Sequence, residues 1–233
     1  MKPLAECKLY TFVDTACLCG RAPELVAQQL CDGGGDLIQL RAKNSSPGEI
    51  RRMAEKILPV TNRAQAGLVI NDHLEIAREL GAELCHLGQE DFFDAGHKHC
   101  SEVSSRQPAI RIGLSTHSPE QARRALAAGA DYIAIGPVFA TGTKPGAKPV
   151  TLDYVRWAAA NVSVPWFAIG GIHLENLGDV LAAGAKTRVR RLGHSQRAGH
   201  DEGVRGISAE VEMISLRPSQ TIKTGASLSR QFR

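Results

Sequence analysis

No run of apolar residues in this 233-residue chain is long enough to cross a membrane. Met1 to Leu9 lacks the apolar stretch of a secretory signal, so a cytoplasmic protein with no membrane partner is expected. Paired metal spacing is missing among the cysteines: Cys7, Cys17, Cys19, Cys31, Cys85 and Cys100 read as reduced thiols. A basic body is missing as well. From Thr187 onward nine Lys/Arg face four Asp/Glu, whereas the rest of the chain has nineteen against twenty. The net charge of +4 therefore belongs to the tail, and the body offers no electrostatic footing for nucleic acid.

What is present is 43% apolar residues, enough for a core, in a length that suits one large domain. Short apolar runs at Lys8–Val13, Leu37–Leu40, Gly67–Ile70, Leu84–Leu87, Arg111–Leu114, Tyr132–Ile135 and Trp166–Ile169 read as strands. Helical spacing lies between them, at Ala22–Cys31, from Pro47, at Leu74–Leu80, from Ser118, and at Thr151–Ala160 and Leu174–Ala183. Phe92 to Gln107 is less regular, with room for a short helix. Alternating strands and helices, with strands apolar on both faces, predict a parallel sheet covered by helices. Seven such units point to a (β/α)8 TIM barrel, with an open doubly wound sheet as the alternative. Polar residues gathered directly after strands two to seven favour the barrel, whose site lies at that end.

The eighth unit is where the pattern breaks. Gly81-Ala82-Glu83 and Gly129-Ala130-Asp131 each follow a helix and precede a strand, and Gly184-Ala185-Lys186 stands in the same position. Instead of a strand comes Thr187-Arg188-Val189-Arg190-Arg191, whose arginines are costly to bury in a barrel interior. The expected organisation is an incomplete barrel over residues 1–186, its eighth strand and helix lost or replaced, and a basic tail over 187–233 without regular structure. Such a barrel is expected to leave two strand edges unpaired and to be poorly stable.

Ile135-Gly136-Pro137-Val138-Phe139-Ala140-Thr141-Gly142-Thr143-Lys144 carries the clearest chemistry. Hydroxyls, backbone N–H groups and an ammonium at the carboxyl end of a strand suit a phosphate, although a solvated turn has the same composition. The other strand ends add Gln39-Leu40-Arg41-Ala42-Lys43, Asn71-Asp72, Gln89-Glu90-Asp91, Ser115-Thr116-His117 and Gly170-Gly171. Arg41 and Lys43, two residues apart, fall on one side of an extended strand. His117 reads equally as a substrate contact or a packing residue. His97, His99 and Cys100 are metal-ligand types, but they lie in the irregular segment and read as no site.

In order and spacing these segments, with HLGQED, GLSTH, IGPVFATGTK and AIGGI in succession over about Leu9 to Ala185, resemble thiamine phosphate synthases. The resemblance implies the joining of hydroxymethylpyrimidine diphosphate to thiazole phosphate, with release of diphosphate. It implies Mg²⁺ held by Asp72 and Asp91, and a pyrimidine diphosphate held by Gln39, Leu40, Arg41, Ala42, Lys43, Asn71, Ser115 and Lys144. Among these, Arg41, Lys43, Ser115 and Lys144 would serve catalysis. Thr141, Gly142 and Thr143 would hold the thiazole partner, and Gly170 and Gly171 would let backbone approach a phosphate. Ala42 stands where the family more often has Glu, and Gly142 where it often has Pro. Related thiazole tautomerases share the barrel with less of the metal and diphosphate set. A phosphate binder without activity, or an inert truncated product, is a further alternative, and self-association stays open.

The family continues past this point with a strand ending in Val-Val-Ser-Ala-Ile or similar, and a last helix. Shifting the reading frame by one nucleotide just after Lys186, with permitted codons, yields Arg-Val-Cys-Val-Val-Ser-Ala-Ile. The tail is therefore expected to be the product of a frameshift.

Overall fold

The computed structural model describes residues 1–104, 109–141 and 148–185, together with the backbone of 212–215. Seven strands, β1 (Leu9–Asp14), β2 (Leu37–Arg41), β3 (Gly67–Asn71), β4 (Leu84–Leu87), β5 (Arg111–Thr116), β6 (Tyr132–Ile135) and β7 (Trp166–Ala168), pair in parallel and in chain order. Parallel neighbours need crossovers, and helices supply them. These are α1 (Pro23–Asp32), α2 (Pro47–Arg63), α3 (Leu74–Leu80), α4 (Gln89–Asp94), α5 (Ser101–Ser104), α6 (Pro119–Ala127), α7 (Thr151–Asn161) and α8 (Leu177–Ala182). None of the described helices is long and apolar enough to cross a membrane.

Local sequence sets the helix ends. Ser46 Oγ accepts the Glu49 N–H while Glu49 Oε2 accepts the Ser46 N–H at 2.7 Å, and Pro47 fills the first helical position of α2. Ser118 caps α6 in the same way, through the Gln121 N–H. Gly81 ends α3 in the left-handed region at φ +69°, a conformation that costs glycine little. The irregular segment after β4 resolves into α4 and α5, and its residues 105–108 lie outside those described.

The ring is closed by a strand of another kind. β8 (Glu212–Ser215) runs antiparallel to both neighbours, with Met213 opposite Leu9 of β1 and Ile214 opposite Phe167 of β7. A family-type eighth unit, a parallel strand followed by a helix, is not among the described residues. The open edges expected on β1 and β7 are paired here, because a short strand from the tail supplies their hydrogen-bonding partners. The rest of 187–233 lies outside the described residues.

Alternation along the strands sorts side chains into two cores. Ile38 and Leu40 on β2, Leu68 and Ile70 on β3, and Ile133 and Ile135 on β6 pack outward against the helices. Inside the barrel, Leu4, Cys7, Tyr10, Leu37, Val69, Leu84, Tyr132 and Phe167 form a separate cluster. Leu4 and Cys7, from the turn before β1, plug the lower end. Burial pushes the Cys7 thiol up to about 12, which fits a packing role. Moving up the interior, the lining changes from aliphatic to aromatic, then to the amide of Gln39 and the ring of His86, and finally to charge. That gradient leads into the site.

Candidate active site

The carboxyl ends of the strands surround a cavity of about 1130 Å³. Gln39, Arg41, Lys43, Asn71, Asp72, Asp91, Ser115, Thr141 and Gly170 line it, on the strand ends or the segments that follow them. Leu40 and Ala42 do not line it: with the opposite parity on the same stretch, their side chains join the core beneath the helices. Only their backbone is left to meet a ligand. Gly171, at φ +66°, presses against Ala140 and Phe139 of the neighbouring loop, where a Cβ would lie 2.6 Å from the Ala140 carbonyl oxygen. Its smallness is required by loop packing. Gly142, Thr143 and Lys144 lie outside the described residues.

Charge at the mouth is arranged in pairs. Arg41 Nη1 lies 2.6 Å from Asp14 Oδ2, across a strand register that sets the two residues side by side. Asp14 is only 7% exposed, and its other oxygen accepts the Ala16 N–H at 3.0 Å. One position further round the barrel, the Lys43 ammonium rests on Asp72 Oδ2, which also accepts from Asn71 Nδ2 at 2.7 Å. Asp72 has φ +64°, an uncommon conformation outside glycine, though Asp tolerates it better than most residues. Its N–H donates to the His86 carbonyl at 2.9 Å, which fixes the turn. Asp91, on α4, folds back over Gly88, where a Cβ would collide with its carboxylate.

Below these charges lies a buried polar chain. His86 Nε2 is 2.9 Å from Ser115 Oγ, and His86 Nδ1 is 3.3 Å from the Tyr132 hydroxyl. The Tyr132 hydroxyl is 3.3 Å from that of Tyr10, which accepts from Gln39 Nε2. Two sequence-predicted residues, Gln39 and Ser115, are thus joined through three that were read only as strand residues. The available signal was parity: His86 sits two residues before Gly88, on the inward face of β4.

Burial pushes the His86 imidazole down to about 4, with Asp72 pulling the other way and Lys43 reinforcing the drop. The ring is neutral at neutral pH, so each nitrogen either donates or accepts, and Ser115 is held by one of them. A stability effect follows. The unfolded histidine takes up its proton near 6.5 and the folded one near 4. As pH falls from about 6.5 to about 4 the unfolded chain is favoured, whereas above that window the group contributes no pH dependence. Denaturant midpoints of wild type and His86→Gln between those limits are expected to converge on acidification; parallel curves would rule the effect out.

His117 lines the same cavity, but its Nδ1 contacts the Gly136 carbonyl and its N–H donates to Gln121 Oε1 at 2.6 Å, as a packing residue would. Gln89 is buried and donates to the Gln121 carbonyl at 2.7 Å, a structural role. His97 pairs with Glu102 at 3.6 Å, and Cys100 is buried. No group of three or more His, Cys, Asp or Glu able to hold a metal occurs among the described residues.

With this geometry in place, comparison with known proteins decides the family. The family model described as thiamine monophosphate synthase matches residues 9–189. The chain belongs to that family. A thiamine-phosphate synthase of Thermus thermophilus is 44% identical over 155 residues, which cover 66% of this chain and 72% of that protein. One from Lawsonia intracellularis is 38% identical over 182 residues, covering 78% and 82% respectively. Among solved structures, a thiamine phosphate pyrophosphorylase from Pyrococcus furiosus aligns with TM-score 0.66 at 28% identity, over 78% of this chain and 83% of that one. The FabK structure from Thermotoga maritima, at 18% identity and TM-score 0.58, shares the fold alone. Membership in the thiamine monophosphate synthase family agrees with the parallel barrel and with the polar strand ends. The family match stops at residue 189.

Proposed function

We propose that this chain is a thiamine phosphate synthase, an alkyl transferase that joins hydroxymethylpyrimidine diphosphate to thiazole phosphate and releases diphosphate. One observation carries the reading: two cations and two carboxylates of predicted function, Arg41, Lys43, Asp72 and Asp91, line a single cavity at the end where a barrel places its chemistry. The cavity is large enough for two small phosphorylated molecules side by side.

The residues fit a hard divalent cation. Asp72, just past β3, and Asp91, on α4 after β4, offer carboxylate oxygens to the same cavity, and a cationic ammonium already rests on Asp72. Two protein ligands leave positions for water and phosphate oxygens, the usual habit of Mg²⁺. Bound there, Mg²⁺ would neutralise charge on the diphosphate as it departs. Arg41, its guanidinium oriented by Asp14, presents positive charge to the leaving group without having to reorganise. Ser115, held by His86, offers a positioned hydroxyl in the cavity that Asn71 and Asp72 also line. Tyr10 and Phe12, stacked with ring centroids 5.1 Å apart, line the cavity and would offer an aromatic surface to the pyrimidine ring. Thr141, and in the same reading Gly142 and Thr143, would meet the thiazole phosphate, while Lys144 would join Arg41 and Lys43 on the pyrimidine diphosphate.

Diphosphate release measured with both substrates, with and without Mg²⁺, tests the proposal. Mg²⁺-dependent release that requires the thiazole phosphate is expected. Isomerisation of a thiazole without metal would point to a tautomerase, and binding without turnover to an inert phosphate binder. The tail after Lys186 is read as a frameshifted family C-terminus. The assay is best run beside a chain with the frame restored, and a gene sequence that reads cleanly into the present tail would overturn that part.

A further inference from the structure

We propose that Lys43 holds the place of the divalent cation on Asp72 while the metal is absent, and transfers its ammonium to the diphosphate when the metal arrives. The inference rests on the reading of Asp72 as a metal ligand and goes beyond it, by making metal entry the event that arms Lys43.

Two features of the pair point this way. The first is that the carboxylate is fixed independently of the lysine. Asp72 is held by its left-handed backbone at φ +64°, by its N–H bond to the His86 carbonyl at 2.9 Å, and by Asn71 Nδ2 on the same oxygen that Lys43 contacts. Loss of the ammonium therefore leaves an oxygen ligand already aimed. The second is that the pair is easily displaced. The Lys43 side chain is 49% exposed and that of Asp72 26%, and ion pairs in such surroundings contribute little. A divalent ion on an oriented carboxylate outcompetes a flexible monovalent one, and lysine's long stem lets its charge move within the cavity.

The neighbouring cation behaves differently. Arg41 is 21% exposed and its partner Asp14 only 7%, so that pair is a fixed part of the wall. In this proposal Arg41 stays on the wall and Lys43 moves. The released ammonium lies in the same cavity as the diphosphate that accompanies the metal, so metal and diphosphate would help each other bind, by equal amounts.

The test uses the full chain and Mn²⁺ as an electron-paramagnetic probe of free metal. Lys43→Gln is expected to bind Mn²⁺ alone about threefold to fivefold more tightly than wild type, the range set by an exposed ion pair. Arg21→Gln removes an equal charge from the same cavity lining, where Arg21 contacts the backbone carbonyls of Leu18 and Cys17, and it controls for the general field. It is expected to stay within about twofold of wild type. Acetylation of Lys43 in the wild type, followed by mass spectrometry, supplies a second readout. Labelling is expected to rise several-fold with Mg²⁺ alone and to fall again when inorganic diphosphate is added. The proposal is overturned if Lys43→Gln binds Mn²⁺ no more tightly than Arg21→Gln, or if Mg²⁺ leaves the labelling of Lys43 unchanged. Failure of the metal reading itself has a different signature, in which neither wild type nor Lys43→Gln binds Mn²⁺, and the proposal falls with it.

Discussion

Arg41→Gln is expected to lower kcat/KM for the diphosphate substrate by about 10²- to 10³-fold, the usual cost of losing one preorganised charge-stabilising donor. The guanidinium stands 2.6 Å from an Asp14 that the barrel wall buries, so its orientation is fixed before substrate arrives. Glutamine offers a shorter amide with no charge. Arg41→Lys is expected to recover only part of the loss, because a single ammonium cannot contact Asp14 and two phosphoryl oxygens as a planar fork does. The substitution also leaves Asp14 without its cation, which destabilises the fold and complicates any activity measurement. The double variant Asp14→Asn with Arg41→Gln separates the two effects. It is expected to regain most of the melting temperature and none of the activity. If Arg41→Gln turns over within about tenfold of wild type, the guanidinium is not part of the transition-state environment.

Much of the barrel was legible because its strands are short apolar runs with abrupt polar ends. Leu84–Leu87 and Tyr132–Ile135 stand in the structure with the bounds their sequences give. Inward and outward faces were harder to tell apart, since buried parallel strands are apolar on both. Leu40 and Ala42 were grouped with Gln39 and Arg41 by the family resemblance, although parity separates their side chains. Asp14 stands just past the apolar run Lys8–Val13, and only the β1–β2 register makes it the partner of Arg41. The chain from Gln39 to Ser115 was invisible because Tyr10, His86 and Tyr132 lie far apart in sequence and look like core residues; their contacts exist only once the sheet closes. The antiparallel β8 was missed because Glu-Met-Ile-Ser is too short to carry a period and follows a stretch with no strand signal.

The second large effect is expected at a residue that has no side chain. Gly113 lies opposite Tyr132 in the β5–β6 register, and the tyrosine ring fills the space where a Cβ would be. Gly113→Ala would drive a methyl group into that ring. Both residues sit on paired strands inside a closed barrel, and Tyr132 is fully buried against Phe167 at a ring separation of 5.3 Å, so neither can step aside cheaply. A loss of about 3 kcal/mol is expected, at the upper end for overpacking, or about 6–12 °C in Tm for a chain of this size. The damage should also reach the site, because the ring that is pushed carries the hydroxyl facing His86 Nδ1, and His86 holds Ser115. Activity is expected to fall even well below the melting temperature, through kcat more than KM. Tyr132→Leu supplies the internal control. On that background the ring is gone, and Gly113→Ala should cost less than half of what it costs in the wild type, a coupling that contacting residues produce and distant ones do not. Equal costs in the two backgrounds would mean that the glycine serves some purpose other than making room for the tyrosine.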